Sequence, residues 1–165
     1  MESRGMISLR AAGPADTPRI LRSIRALGEY ERLQSEVVAT EASLMATLFG
    51  ERRYAEVVLA DYDGAPAGFA LYFHNYSTFL ARPGLYLEDL FVDPPFRRHG
   101  VGRALLRHLA RIAAERGCGR LEWSALKWNR LAIDFYLRLG AVAMDEWCIY
   151  RLSGEPLQRL AATDR

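Results

Sequence analysis

The residues of this chain best suited to chemistry fall in one run, Leu85-Tyr-Leu-Glu88-Asp89-Leu-Phe-Val92-Asp-Pro-Pro-Phe-Arg97-Arg98-His99-Gly100-Val101-Gly102-Arg103. An apolar strand leads into a turn holding Arg97 and two glycines, and the turn opens a basic amphipathic helix. That order makes an anion cradle. Glycines let backbone N–H groups approach an oxyanion closely. A helix N-terminus adds unpaired donors and partial positive charge. Arginine forks suit phosphate oxygens. Gly100-x-Gly102 could instead open a dinucleotide fingerprint, with Glu122 as its distant acid. The third glycine is missing, however, since Leu105 stands there, and the long 93–98 loop suits a tight strand-to-helix turn badly. A glycine turn that merely starts a helix is the plain alternative.

Charge follows the same segment. Between Arg97 and Arg120 there are seven arginines and one acid, Glu115, although the whole chain carries a formal net charge of only +2. A concentration of this kind suggests an anionic ligand or, more plainly, a solvated helix face. Acids lie elsewhere, at Glu29, Glu31, Glu36, Glu41 and Asp145. His74, His99 and His108 show no metal-ligand spacing, and no metal is expected. His99 is placed to touch a phosphate. No helix-turn-helix, zinc-finger or aromatic RNP pattern accompanies the basic stretch, so nucleic acid is not expected.

The chain has 165 residues, 50% apolar and 25% charged, which fits a single domain over 1–165 and argues against disorder. No stretch is long and apolar enough for a membrane span. Residues 1–6 carry an acid and lead into no apolar run, so a secretory leader is not expected. Cys118 and Cys148 form neither a disulfide framework nor a zinc pattern, consistent with thiols in a reducing cytoplasm.

The elements that must position the cradle can be read in turn. Residues 6–10 form a short strand. Asp16 or Thr17 caps a helix with Pro18 at its start, and Thr40 caps a second that runs to Gly50. Residues 54–61 and 68–76 form strands joined by a hairpin turn at Asp63-Gly64. Residues 85–92 form a largely apolar strand that ends at Pro94-Pro95. Val101, Leu105, Leu109 and Ile112 make the inner stripe of a helix over 100–116. A strand over 120–125 and a helix over 129–139 follow, and 142–144 with 147–152 read as a closing antiparallel pair. The expected fold is α/β, a mixed sheet with helices on both faces.

Arg97-x-x-Gly100-x-Gly102 resembles the acetyl-CoA pyrophosphate loop of the GNAT N-acetyltransferases. Tyr86-Leu-Glu88-Asp89-Leu-Phe-Val92, Trp128-Asn129, Asp134-Phe135-Tyr136-x-x-x-Gly140-Ala141 and Leu27-Gly-Glu-Tyr30-Glu31 are similar to the diamine (spermidine/spermine) branch, and the similarity spans about 6–160. The resemblance implies a GNAT fold with a mostly antiparallel sheet of about six to seven strands. It implies acetyl-CoA as cosubstrate, direct acetyl transfer to a small-molecule primary amine, and a cytoplasmic homodimer. Leu90, Phe91 and Val92 would pair with the pantetheine arm. Arg97, with the amides from Arg98 through His99, Gly100, Val101 and Gly102 to Arg103, would hold the pyrophosphate. Asn129 would meet the far side of the cofactor. Tyr136 would protonate the departing thiolate, and Glu88 would draw the proton from the amine. Tyr30, Glu31, Asp89 and Asp145 would line the amine site.

The chain departs from the polyamine pattern at Ser77 and Phe79, where those enzymes carry an acid followed by Pro-Trp, and at Lys127, where they carry an acid. A lysine-like or thialysine-like acceptor stays open beside a diamine. So do a protein N-terminus or lysine as acceptor, and a non-catalytic CoA-binding sensor. Because strand neighbours face opposite ways, only one of Glu88 and Asp89 is expected to face the acetyl group. Tyr136 stands one position, about 100°, from the core-facing Phe135 on its helix, and so should look towards a cleft.

Overall fold

The computed structural model describes residues 5–162. The expectation about a leader over residues 1–6 therefore falls partly outside the described residues. By packing, the chain divides into two compact units, Met1–Ser124 and Ala125–Arg165.

The first unit is a five-stranded sheet in the order β1(Ile7–Ala11), β2(Glu56–Tyr62), β3(Ala65–Ser77), β4(Arg82–Val92), β5(Leu121–Trp123). The first four strands pair antiparallel, and β5 joins β4 in parallel. The β2–β3 turn has left-handed backbone at Asp63 (φ 49°) and Gly64 (φ 78°), as the Asp-Gly pair requires of a tight hairpin. Helices α1(Thr17–Tyr30) and α2(Glu41–Leu48) cover one face. There Ile20, Leu21, Leu27, Leu44 and Leu48 bury against Val57, Leu59, Phe69 and Phe91. Helix α3(Val101–Glu115) covers the other, with Val101, Leu105 and Leu109 essentially inaccessible to solvent. Each such side chain contributes about 2 kcal/mol.

Local chemistry fixes the helix starts. Thr40 Oγ1 accepts from the Ser43 N–H at 3.1 Å and caps α2. Asp16 stands at the α1 cap position, but its carboxylate is spent elsewhere. It takes the Gly13 N–H at 2.8 Å and a two-point ion pair from Arg10. That pair holds the Asp16 carboxyl down at about 2.

The second unit contains α4(Arg130–Arg138) and α5(Gly154–Ala162). The antiparallel pair expected over 142–144 and 147–152 is not formed, because no strand follows Trp123 among the described residues. The sheet therefore has five strands rather than six or seven. The apolar content of 142–152 suggested strands, but an isolated hairpin is marginal without a third strand to pair with. Helix α5 was not expected from the sequence, and Pro156 lies in its first turn. Pro is tolerated in a first helical turn, whose N–H groups have no intrahelical acceptor.

Candidate active site

The site is built on β4. From Gly68 opposite Val92 to Leu71 opposite Asp89 the β3–β4 register is regular, and then Tyr72 stands opposite Leu87. Glu88 is thus the extra residue of a β-bulge. Leu87 shares a face with Tyr72, whose ring lies 5.9 Å below the Arg116 guanidinium at the end of α3. Beyond the bulge it is Phe91, and with it Asp89, that shares the face covered by α1. The expectation of simple alternation fails here: the bulge reverses the parity of the strand and leaves Glu88 exposed.

Pairing with β5 stops at the same point, since Leu87 opposite Trp123 is the last register pair. The Asp93 N–H donates to the Ala67 carbonyl at 2.9 Å, so the odd-numbered residues of this stretch turn their backbone groups towards β3. Leu90 and Val92 turn theirs to the outer edge. Arg97 Nε donates to the Val92 carbonyl at 3.0 Å. This leaves the Leu90 N–H and C=O and the Val92 N–H facing outward. They suit an extended amide-bearing chain lying alongside as another strand.

The loop after β4 is wound for anions. Arg98 (φ 67°) and Gly100 (φ 89°) are both left-handed, a pattern that converges successive N–H groups. Gly100 caps α3 with no side-chain hydrogen bond. The Ala104 N–H donates to the Gly100 carbonyl at 2.9 Å as the first bond of α3, so the amides just before it stand at the open end of the helix. The side chains of Arg98, His99 and Arg103 are exposed beside those amides. A diphosphate therefore fits the donors present.

Tyr62, at the end of β2, steadies the loop, a role that nothing in its sequence surroundings marks. Its hydroxyl is 3.2 Å from His99 Nδ1, and its ring lies 5.0 Å from the His99 ring and 5.9 Å from Phe96. An aromatic at a strand end has no motif to distinguish it from core packing.

On the α1 side the structure brings together Tyr30, Glu31, Asp89 and Glu88. The Tyr30 ring packs 6.5 Å from that of Phe91. Asp89 is half-buried, and its carboxyl is pushed up to about 6, chiefly by desolvation and then by the negative charges of Glu88 and Glu31. Burial also pushes Glu31 upward. These carboxylates feel one another, as groups around a shared cation site would.

Three expected site residues lie in the second unit. Asn129 Oδ1 accepts from the Ala132 N–H at 3.3 Å and caps α4. Tyr136 sits on α4 with its ring 5.5 Å from that of Phe135. Asp145 lies in the irregular segment between α4 and α5. No group of three His, Cys, Asp or Glu among the described residues could hold a metal ion. No helix among them is long and apolar enough to cross a membrane.

A strand with an open polar edge leading into an anion cradle is an acyl-CoA-binding arrangement, and the comparisons with known proteins agree. Residues 22–141 match the model of the acetyltransferase (GNAT) family, and the chain belongs to that family. It is therefore an acetyl-CoA-dependent N-acetyltransferase. It is 36% identical to thialysine N-epsilon-acetyltransferase of Bos taurus, over 94% of this chain and 97% of that one. It is 33% identical to L-ornithine N5-acetyltransferase of Arabidopsis thaliana, over 92% and 86%. Among solved structures, an integron cassette protein from the mobile metagenome of V. cholerae superposes with a TM-score of 0.80 at 28% identity, over 95% and 98%. An aminoglycoside N-acetyltransferase in complex with CoA shares the fold, with a TM-score of 0.72 at 18% identity over 92% and 98%.

Proposed function

We propose that this enzyme moves the acetyl group of acetyl-CoA directly to the side-chain amine of a small amino acid of the lysine, thialysine or ornithine type. One observation carries this reading. The relatives that match nearly end to end act, by name, on thialysine and ornithine. Ser77, Phe79 and Lys127, where the polyamine pattern has other residues, favour the same class over a long polycation.

The chemistry divides among residues already placed. Acetyl-CoA supplies a thioester carbonyl and a thiolate leaving group. The amides of residues 98–103 bind its diphosphate, with the Arg98, His99 and Arg103 side chains beside them. The outer edge at Leu90–Val92 aligns its amide-bearing arm, and Asn129 meets its far side. An alkyl amine has a pKa near 10, so only about one molecule in a thousand is neutral at pH 7. Tyr30, Glu31, Asp89 and Asp145 hold the ammonium form. Glu88 at the bulge accepts its proton, directly or through water. A carboxylate raised as Asp89 is would be a better-matched acceptor than an ordinary one, and it stands next to Glu88. Tyr136 gives its phenol proton to the departing thiolate. The two units act as one acetyltransferase domain, which the family match across both supports. We place the enzyme in a reducing cytoplasm as a homodimer; the free Cys118 and Cys148 fit that compartment.

An acceptor screen read by thiol release tests the proposal. Thialysine, lysine and ornithine should turn over faster than spermidine, and peptides should be inert. Tyr136→Phe should lower kcat on the best acceptor by about a hundredfold, with the KM for acetyl-CoA little changed. Preferred turnover of peptides would favour a protein acetyltransferase, and CoA binding without thiol release would favour a sensor. Either result overturns the reading.

A further inference from the structure

The loop's arginines do not all face the same way. Arg98 and Arg103 are exposed, whereas Arg97 is half-buried and turned inward. Its Nε donates to the Val92 carbonyl at 3.0 Å. Its guanidinium carbon lies 4.7 Å from the centre of the Tyr30 ring and 5.5 Å from that of Phe91. The two rings meet at 57°, and the cation sits against both. One side chain thus touches three elements: the last residue of β4, the last residue of α1 and the loop that carries it. Glu31 follows Tyr30 in the chain, and Asp89 shares the face of Phe91, so this corner borders the acid cluster.

We propose that Arg97 is a positioning residue for the acceptor side, one that braces Tyr30 and the end of β4 against the loop, rather than a ligand of the diphosphate. Three observations favour this over the phosphate role. The Nε donor is spent on a backbone carbonyl whose loss would leave Val92 unpaired at its strand end. The guanidinium lies within cation–π distance of two rings while its Nε holds the Val92 carbonyl, a combination that a lysine ammonium does not reproduce. Nearby Arg98, His99, Arg103 and the amides at the open end of α3 already supply the anion site. The brace also couples the two halves of the reaction, because whatever orders the loop orders the ring beside the amine.

This inference rests on the reading that Tyr30 and Glu31 border the amine site. Initial rates with both substrates varied, on Arg97→Lys, Tyr30→Leu and the double variant, test it. Each single change should raise the acceptor KM about tenfold and leave the acetyl-CoA KM within about threefold. The double variant should be no worse than the poorer single, because one contact is lost only once. Calorimetric titration of Arg97→Lys with CoA, which needs no turnover, should match the parent. A tenfold weaker CoA affinity with an unchanged acceptor KM assigns Arg97 to the diphosphate and overturns the proposal. A double variant whose loss equals the product of the singles overturns it too. An unmodified chain that acetylates no amine would remove the acetyltransferase reading itself, a result separable from either of these.

Discussion

Asp89 is the residue on which the local physics presses hardest. Its carboxyl is pushed up to about 6 from an ordinary value near 3.8, first by burial and then by Glu88 and Glu31. The folded chain therefore holds a proton there that the unfolded chain has released. Stability from this group is complete below about pH 4 and is lost as pH rises through about 6. Asp89→Asn should accordingly stabilise the protein at pH 8 by about 1–2 kcal/mol, allowing for partial solvation. The gain should shrink towards zero near pH 4. Urea titrations of both proteins at the two pH values measure it. Sequence placed Asp89 and Glu88 side by side and on opposite sides of a strand, but did not say which of them is buried. The bulge that decides it arises from β3 pairing, and pairing is a property of two strands, not of either sequence alone.

At the scale of elements, the strand–loop–helix unit was readable because each part has a local cause. An apolar run makes β4, Pro94-Pro95 ends it, glycine permits the left-handed turn, and the Val101/Leu105/Leu109 stripe makes α3. Gly100 tests this. A Cβ there would meet only Ile7 Cδ1, at 3.9 Å, so space is not the constraint. The backbone is, since φ is 89°. Gly100→Ala should shift the loop and weaken acetyl-CoA binding about tenfold in a calorimetric titration, at a cost of about 1 kcal/mol in stability. What the sequence left illegible has a common reason. The inward turn of Arg97 and the hold of Tyr62 on His99 are contacts between residues tens of positions apart. No spacing rule encodes them. The absent 142–152 pair errs in the other direction, because apolar alternation is necessary for strands but not sufficient without a partner edge.

Across the whole first unit, the helix that starts at the anion cradle is secured at its far end. Arg116, just past α3, makes a two-point ion pair with Glu56 at the start of β2 and lies over Tyr72 on β3. The pair holds the Glu56 carboxyl below its usual range, chiefly through the hydrogen bonds from Arg116. Its contribution is present above about pH 4.5 and lost as acid protonates Glu56. Both side chains are more than a third exposed, so solvent screens them. Arg116→Ala should cost about 1 kcal/mol by urea unfolding at pH 7, and less at high salt. Its effect on acceptor KM should be small, since the change lies away from the amine side. The division of charge seen in the sequence keeps its meaning at this scale. Cations gather along the loop and α3, and acids gather at the end of α1 and the bulge.

The bulge at Glu88 also bears on how such a chain can change over time. Position 88 can accept another side chain while the strand around it stays in place. It can also be dropped without carrying its neighbours across the sheet. Deleting one residue there would leave Leu87 opposite Tyr72 and Asp89 opposite Leu71 as neighbouring, regularly alternating positions, so Leu90 and Phe91 would keep their sides of the sheet and only the bulge and its exposed carboxylate would go. Descendants of this protein are therefore free to retune or lose the chemistry at that position, whereas a one-residue change elsewhere in the strand would turn every side chain beyond it to the wrong face.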